Sequence, residues 1–307
     1  MVERAEKRGP RRLSAEDLSR LPALHRATVS SLSVARAITL DRGLIAYLDN
    51  LCVRAHLLVY GPSVGLIKST RRFMSQRFPE TVRRYAKAVA VAWACMIIGT
   101  LAGLALTRSD PEMFYVFVGK NLAGGRGPMS TRDELRNVLY GIHKSPDALA
   151  YLTSELFTHN TRVGFTAFAF GMLFGLPVFL ALIYNGLILG AFWAIHLDQG
   201  LGLDLWLWLL PHGVTELLAI SLCGAAGLIL GHALLFPGQR PRMQNLGIEG
   251  RNAAVLVIGT IPMFLLAGLI EGVLRQLVND VAVRGAVSLL TALLWGWYFA
   301  RMGRETR

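Results

Sequence analysis

The sequence predicts an all-α membrane protein, a polytopic bundle of about six transmembrane helices that follows a basic helical amino-terminal domain. Hydrophobic residues make up 53% of the 307 residues and charged residues only 17%, and the mean hydropathy is +0.44. This balance points away from a soluble globular protein. Glu216 is the one charged residue within five long apolar segments. These segments are residues 88–106, 163–196, 205–236, 253–270 and 285–300.

The lengths of these segments set the number of spans. A transmembrane helix needs about 20 mostly apolar residues, so the first and the last two segments are expected to hold one helix each. Residues 163–196 are too long for one helix and are expected to fold back near residues 184–186, which read Y-N-G. This interpretation gives six spans, with five as the alternative if one of the paired segments is re-entrant.

Residues 1–87 are predicted to form a basic, helical domain that is cytoplasmic and juxtamembrane. No apolar signal region follows the basic start, so a resident domain is expected rather than a cleaved leader. Apolar residues recur every three or four positions in residues 44–59, which indicates one face of an amphipathic helix, and the Gly-Pro pair at residues 61–62 would end it. The basic and aromatic residues 68–78 favour a helix that lies on anionic lipid headgroups.

Residues 88–307 are predicted to form the transmembrane domain, in which residues 107–162 make an interfacial or extracytoplasmic helical segment. The glycine-rich residues 124–128 are expected to form a loop. Ser-Pro-Asp at residues 145–147 is typical of a helix start, because proline is tolerated in the first turn. Residues 147–157 then place their leucines on one side of a helix along the outer interface.

The net charge of +12 is concentrated at the edges of the apolar segments, so it favours membrane surfaces and not nucleic acid as the partner. With six spans, the basic amino terminus, residues 240–251 and residues 301–307 fall on one side. The positive-inside rule assigns that side to the cytoplasm, which predicts an inner-membrane protein with both termini cytoplasmic. Residues 107–162 are also rich in Arg and Lys, but long loops report orientation weakly.

Five pairs of glycines lie four residues apart and predict close contacts between helices. Helices in lipid gain little by hiding apolar side chains, so close approach of backbones must hold them together. Some pairs are equally suited to contact a second copy of the chain, which makes a homo-oligomer the expected state. The pairs are Gly99 and Gly103, Gly171 and Gly175, Gly186 and Gly190, Gly227 and Gly231, and Gly268 and Gly272.

The ionisable residues inside the apolar segments are the candidate site. His212 and Glu216 are four residues apart and lie on one face of a helix. A charge at lipid depth costs roughly 2.5 kcal/mol or more, so protein or water must satisfy both. The helix is expected to begin near Pro211, which a first turn tolerates, with residues 205–210 as an interfacial or re-entrant piece. Further polar candidates are Glu271, Asn185, His196, His159 and Asn160.

Three roles are open for this pair. His212 and Glu216 can lock a broken helix without reacting, they can share a divalent metal ion, or they can line a proton or ion path. A metal site lacks an assured third ligand in the sequence, and the scattered cysteines show no paired metal-binding spacing. Neither a catalytic set nor a cofactor motif is found, so an enzyme is the less favoured class.

Four sequence motifs resemble the stage II sporulation protein M family of integral membrane proteins. They are H-N-T-R-V-G-F-T-A-F (residues 159–168), G-M-L-F-G (171–175), L-I-Y-N-G-L-I-L-G (182–190) and L-L-P-H-G-V-T-E-L (209–217). The P-H-G-x-x-E element is the most specific of them. The resemblance assigns functional positions to Pro211, His212, Gly213 and Glu216, with Asn160, Asn185 and Gly186 as weaker matches.

The resemblance also implies a role. In spore formers the family's namesake is implied to act in engulfment, as a membrane anchor that holds peptidoglycan-degrading enzymes in a complex. This implies a membrane scaffold for envelope remodelling, with lipids and other membrane or envelope proteins as partners. The alternatives are a transporter or channel in which His212 and Glu216 line the path, and a metal-dependent intramembrane enzyme.

Overall fold

The computed structural model describes residues 2–3, 14–38, 41–60, 66–141, 158, 160–278 and 280–304. All regular secondary structure in these residues is helical, which confirms the predicted all-α class. The chain forms two compact units, Met1–Thr70 and Arg71–Arg307. Residues 71–87, which the sequence analysis placed in the amino-terminal domain, therefore pack with the second unit.

The first unit is built on a helical hairpin. Its two helices run antiparallel, because Arg36 pairs with Asp49 at 3.1 Å near the connection and Leu21 packs against Leu58 farther from it. Asp41 begins the second helix by accepting hydrogen bonds from two backbone amides of the first turn. The helices are α1 (Ala15–Ile38) and α2 (Arg42–Tyr60), and the Gly-Pro pair predicted to end α2 lies outside the described residues.

The second unit contains the apolar helices, and five helices in its described residues are long and apolar enough to cross a membrane. These five are α5, α10, α11, most of α12, and α13. The boundary between the two units falls within α3 (Leu66–Arg72). In chain order the elements that follow are a π-helix (Phe73–Arg77), α4 (Phe78–Arg84), α5 (Ala86–Ser109), α6 (Met113–Phe117), α7 (Lys120–Ala123), α8 (Arg132–Tyr140), α9 (residues 160–169), a 3-10 turn (Phe170–Met172), α10 (Leu176–Asp198), α11 (Gly202–Leu235), α12 (Arg242–Leu277) and α13 (Val281–Arg301).

The short helix α9 belongs to the return between α5 and α10 and packs along α11. Helices α5 and α10 run parallel, since their carboxyl ends are joined by an Arg108–Asp198 ion pair of 3.1 Å, so the chain must return between them. The number of passes is even, because Arg83, just before α5, donates to the carbonyls of Phe299 and Met302 at the end of α13 (2.8 and 2.6 Å). The described residues thus hold five helices long enough to cross a membrane, and the sixth span stays a prediction.

The expected fold-back at residues 184–186 is wrong. Helix α10 runs unbroken through them, and the reversal lies at residues 173–175, where Phe174 and Gly175 have positive φ values of 59° and 77°. Pro177 then sits in the first turn of α10, a position that tolerates proline. The Y-N-G segment was misread because Gly186 serves helix packing: a Cβ there would overlap the backbone of α5.

Glycines carry the closest helix contacts in the bundle. A Cβ at most of these positions would overlap backbone atoms of the neighbouring helix, so the helices approach more closely than side chains allow. This is the packing that membrane helices favour. The glycines of the α5–α10 contact are Gly99, Gly103, Gly186 and Gly190, and those between the α9–α10 turn and α11 are Gly171, Gly175, Gly227 and Gly231.

Aromatic and polar contacts tie α4 to the bundle. Phe78, at the end of the basic and aromatic run, is fully buried and packs edge-on against Phe299 at 5.5 Å. The hydroxyl of Tyr85 donates to Glu249 and accepts from the amide of Asn252 at 2.8 Å. Burial and the Glu249 carboxylate raise the pKa of Tyr85 to about 12, so the phenol remains a donor at neutral pH.

The segment after α5 folds against the carboxyl end of α10. Phe114 is fully buried and meets the ring of Phe192 edge-on at 5.5 Å, while Thr131 and Glu134 form a capping box at the start of α8. The predicted loop at residues 124–128 is present, with positive φ at its first two glycines. The helix expected over residues 147–157 lies outside the described residues.

The glycine contacts lead to a stability prediction. We expect Gly190→Ala to destabilise the protein by about 1–3 kcal/mol, the usual cost of overpacking, because the new methyl group would overlap the carbonyl oxygen of Thr100. Gly296→Ala is the matched control within an apolar helix, since nothing lies within 4 Å of its added Cβ. Thermal unfolding in detergent micelles measures both. Equal midpoints for the two variants would contradict the packing account.

Candidate functional site

His212, Glu216 and Glu271 converge between α11 and α12. One nitrogen or oxygen atom from each side chain lies within 4.8 Å of the other two, and His212 Nε2 is 3.8 Å from Glu271 Oε2. His212 and Glu271 are only 5% and 4% exposed, and Glu216 is half-buried. Three ionisable groups therefore meet inside an apolar bundle, a setting in which each needs a partner.

The antiparallel course of α11 and α12 produces this meeting. Asn245, at the start of α12, donates a hydrogen bond of 3.1 Å to the carbonyl of Ala233 near the end of α11. Because the two helices run antiparallel from that connection, the early residues of α11 lie beside the late residues of α12. His212 and Glu216 share a face of α11 through their four-residue spacing, and α12 adds Glu271.

Asn160 brings a third helix into the cluster. Its side chain is hydrogen-bonded to Glu216, and because a carboxylate can only accept, the amide of Asn160 is the donor. Asn160 lies at the start of the described part of α9. The polar candidates from three separate segments of the sequence, residues 160, 212–216 and 271, therefore form one group.

Arg284 adds a positive charge beside the cluster and was not among the predicted site residues. It is 2% exposed and donates to the carbonyls of Val278 at 2.9 Å and Leu139 at 3.3 Å. It immediately precedes an apolar segment, a position that is typical of a charge at the membrane edge. Arg284 shares a cavity of about 10 Å³ with Trp208, Pro211, His212, Glu271 and Leu274, room for about one water molecule.

A second polar contact links this region to α8. The guanidinium of Arg284 lies 5.1 Å from the ring centroid of Tyr140, and the hydroxyl of Tyr140 donates to Asp204 at 2.6 Å. Burial and the Asp204 carboxylate raise the pKa of Tyr140 to about 12, so the phenol stays protonated at neutral pH. The cluster is thereby connected, through Arg284, to the helix that precedes residue 141.

Helix α11 does not begin at Pro211, so this expectation is wrong. The helix starts at Gly202 and continues through the proline. Residues 205–210 are thus its first turns and not a separate re-entrant piece. The helix continues because Leu205 and Pro211 are both buried in the bundle, where surrounding protein allows a proline within a membrane helix.

The remaining candidates lie in different surroundings. Gly186 packs against α5, Asn185 is its half-buried neighbour, and Gly213 is buried in α11 beside the side chain of Leu209. His196 is fully buried near the end of α10, where its Nδ1 lies 2.8 Å from the carbonyl of Phe192. His159 lies outside the described residues.

The composition of the cluster limits its chemistry. Two carboxylates and one guanidinium leave a net negative charge, which a protonated His212, a proton on one acid or a bound cation would neutralise. Imidazole and carboxylate are ligands for divalent ions such as zinc, and Glu271 is the third ligand that the sequence alone did not provide. The same groups are equally suited to an ionic lock between helices.

The chain belongs to the Stage II sporulation protein M family. The profile of this family matches residues 88–274, more than half of the chain, which confirms the resemblance drawn from the motifs. With its long apolar helices, the chain is a polytopic membrane protein. A second profile, described as Domain of unknown function (DUF8413), matches residues 1–61. Comparisons with curated proteins and with solved structures found no significant match.

The contact between His212 and Glu271 can be measured by a double-mutant cycle. We expect His212→Ala and Glu271→Gln to be non-additive by about 0.5–3 kcal/mol, the range for residues in direct contact. His232→Ala is the control, because His232 is 20 positions along α11 from His212, roughly 30 Å away, and its effect should add to that of Glu271→Gln. Thermal midpoints in micelles give the comparison. Additivity for both pairs would show that the cluster is not coupled.

Proposed function

We propose that this member of the Stage II sporulation protein M family is an integral membrane scaffold that anchors a cell-envelope remodelling complex. The observation that carries the proposal is the polar cluster, which joins α9, α11 and α12 and connects through Arg284 to α13 and α8. A group that ties four apolar helices to a helix outside the apolar segments suits a fixed platform for other proteins.

The packing of the bundle supports a platform over a transporter. A transport path through His212 and Glu216 would call for a polar cavity open to one side. The cavity beside His212 is about 10 Å³, which leaves room for about one water molecule. The glycine contacts also bring helix backbones together without intervening side chains, an arrangement that favours a rigid bundle.

The distribution of charge supports an orientation for this platform. Three basic segments meet at one end of the bundle, as the hydrogen bonds of Arg83 and Tyr85 indicate. We call this the basic end, and it comprises residues 71–87, 240–251 and 301–304. Under the positive-inside rule this end faces the cytoplasm. The opposite end, which carries α6, α7 and α8, then faces the envelope, and the membrane is the inner one.

Exposed apolar residues at the opposite end form the proposed docking surface. Val116 and Met129 are 65% and 90% exposed, and both belong to the segment that Phe114 anchors to α10. Contiguous apolar patches on a protein surface mark interaction sites, and we propose that these two residues belong to one such patch. We propose an envelope protein as the partner at this surface, and a homo-oligomer as the state of the bundle.

A second candidate function is a divalent-metal site in an intramembrane enzyme or structural centre. It is favoured by one observation, the convergence of three ligand atoms from His212, Glu216 and Glu271 within 4.8 Å. One histidine and two carboxylates match the ligand types of catalytic zinc sites. Asn160, which donates to Glu216, would orient that carboxylate as an outer-shell partner does.

Complementation of a deletion strain tests the scaffold. We expect the wild-type chain to retain peptidoglycan-degrading enzymes in the membrane fraction, and a Val116→Glu, Met129→Glu variant to lose them, because charges at exposed positions abolish an apolar docking surface without entering the core. Quantitative mass spectrometry of the membrane fraction measures the retained enzymes, and immunoblotting confirms that the variant accumulates normally.

Met243→Glu is the matched control for this experiment, because Met243 is 75% exposed but lies at the basic end. It should behave as wild type. Full retention of the enzymes by the Val116→Glu, Met129→Glu variant would contradict the proposed docking surface. Full retention of the enzymes in the deletion strain would contradict the scaffold function. If reconstituted vesicles show a solute flux, and if His212→Ala abolishes that flux, the protein is a transporter instead.

The metal candidate predicts one divalent ion per chain in protein purified without chelator. Because the three side chains supply all of the ligands, we expect His212→Ala and Glu271→Gln each to reduce the bound ion at least about tenfold, the scale of losing a ligand or its support. Elemental analysis by mass spectrometry measures it, with His232→Ala as the control. Protein without stoichiometric metal would eliminate this candidate.

A further inference from the structure

A long apolar groove runs along the side of the bundle. Helix α11 forms its floor, α5 and α13 form its two walls, and α10 contributes near the opposite end. Its volume is about 560 Å³, within the range of roughly 300–1,000 Å³ for small-molecule sites. Ile97 and Leu101 at its rim are more than half exposed, so the groove is accessible from the side that faces lipid.

Aromatic rings line both ends of this groove. Towards the opposite end, Trp193 and Trp206 meet edge-on with ring centroids 5.2 Å apart. Towards the basic end, Trp295 is stacked on Phe299 at 5.7 Å. The indole of Trp295 is fixed by its hydrogen bond of 2.9 Å to Thr215, which holds the ring in place as part of the wall.

The groove is suited to a hydrocarbon ligand. The hydroxyl of Thr100 donates to the carbonyl of Met96 in its own helix at 2.8 Å, and the indole N–H of Trp295 is used by Thr215. These groups are therefore engaged within the protein, and most of the other lining residues are aliphatic or aromatic. A ligand inside the groove therefore makes mainly dispersion and apolar contacts.

Positive charge lies beyond one end of the groove. Phe299, the lining residue nearest the basic end, accepts a hydrogen bond from Arg83, and the neighbouring Arg84 and Lys87 are exposed. Basic residues next to an apolar segment attract anionic lipid headgroups, at about 1 kcal/mol for each Lys or Arg. The basic end thus complements an anionic group whose hydrocarbon part occupies the groove.

We propose that the groove binds one acyl chain of an anionic phospholipid, with the headgroup at Arg84 and Lys87. The charge beside the basic end favours this ligand over an apolar transmembrane helix, which would leave those basic residues without an anionic partner. The proposal does not depend on the scaffold function, since it concerns the face of α11 turned away from His212 and Glu216.

Native mass spectrometry of detergent-purified protein tests this site, with phosphatidylglycerol and phosphatidylcholine of identical acyl chains as probes. We expect one tightly held phosphatidylglycerol per chain. Gly296→Phe should weaken its binding by about tenfold, or about 1.4 kcal/mol, because position 296 lines the groove and no atom within 4 Å obstructs the added side chain's Cβ. Ala292→Phe, also in the lining, provides a second variant if Gly296→Phe fails to fold.

Gly247→Phe is the matched control, because nothing lies within 4 Å of its added Cβ and it lies outside the groove. It should retain the lipid. An Arg84→Gln, Lys87→Gln variant should bind the two lipids equally. This result would distinguish the contribution of the headgroup to binding from that of the acyl chain. Unchanged lipid binding by both groove variants would overturn the proposal. A smaller oligomer in those variants without loss of lipid would overturn it as well, because the occupant of the groove would then be a second copy of the chain.

Discussion

Charged side chains buried among apolar helices must find partners within the protein, and this requirement organises the bundle. Glu216 accepts from Asn160 of α9, Glu271 of α12 lies 3.8 Å from His212 of α11, and Arg284 of α13 lines the same small cavity. Removing one member would leave the others buried without compensation, which is the costly case for ionic groups in a protein interior.

Close contact between helix backbones is the second feature that stabilises the packing of the bundle. Leucine side chains gain little by leaving lipid for another helix, so the bundle depends on dispersion between surfaces that fit closely. Glycines of α5 and α10 allow one helix to lie directly on the carbonyl groups of the other. The cluster and the glycines complement each other, because closely packed helices exclude water from the charges, and paired charges oppose separation of α9, α11 and α12.

Helix α11 has two faces with different roles, although nearly all of its residues are apolar. One face carries His212 and Glu216 towards α9 and α12. The other carries Leu210, Val214 and Leu217 along the floor of the groove. A helix in this position separates a polar interior from a surface that lipid can reach, and it joins the proposed scaffold to the membrane around it.

The sequence by itself determined the features that depend on local composition and spacing. Apolar segments of sufficient length identified the membrane helices, and the four-residue spacing placed His212 and Glu216 on one face. These conclusions hold because helix periodicity and burial in lipid are set by neighbouring residues.

Only the tertiary structure decided which distant residues meet. The fold-back lies at residues 173–175 and not at residues 184–186, because Gly186 packs against α5. Helix α11 continues through Pro211. The tertiary structure also brought Glu271, Asn160 and Arg284 to the pair, since their positions depend on how α9, α12 and α13 pack and not on their own neighbours. A pairing across 55 or more residues leaves no periodic signal in one sequence, so the complete cluster became visible only once the helices were assembled.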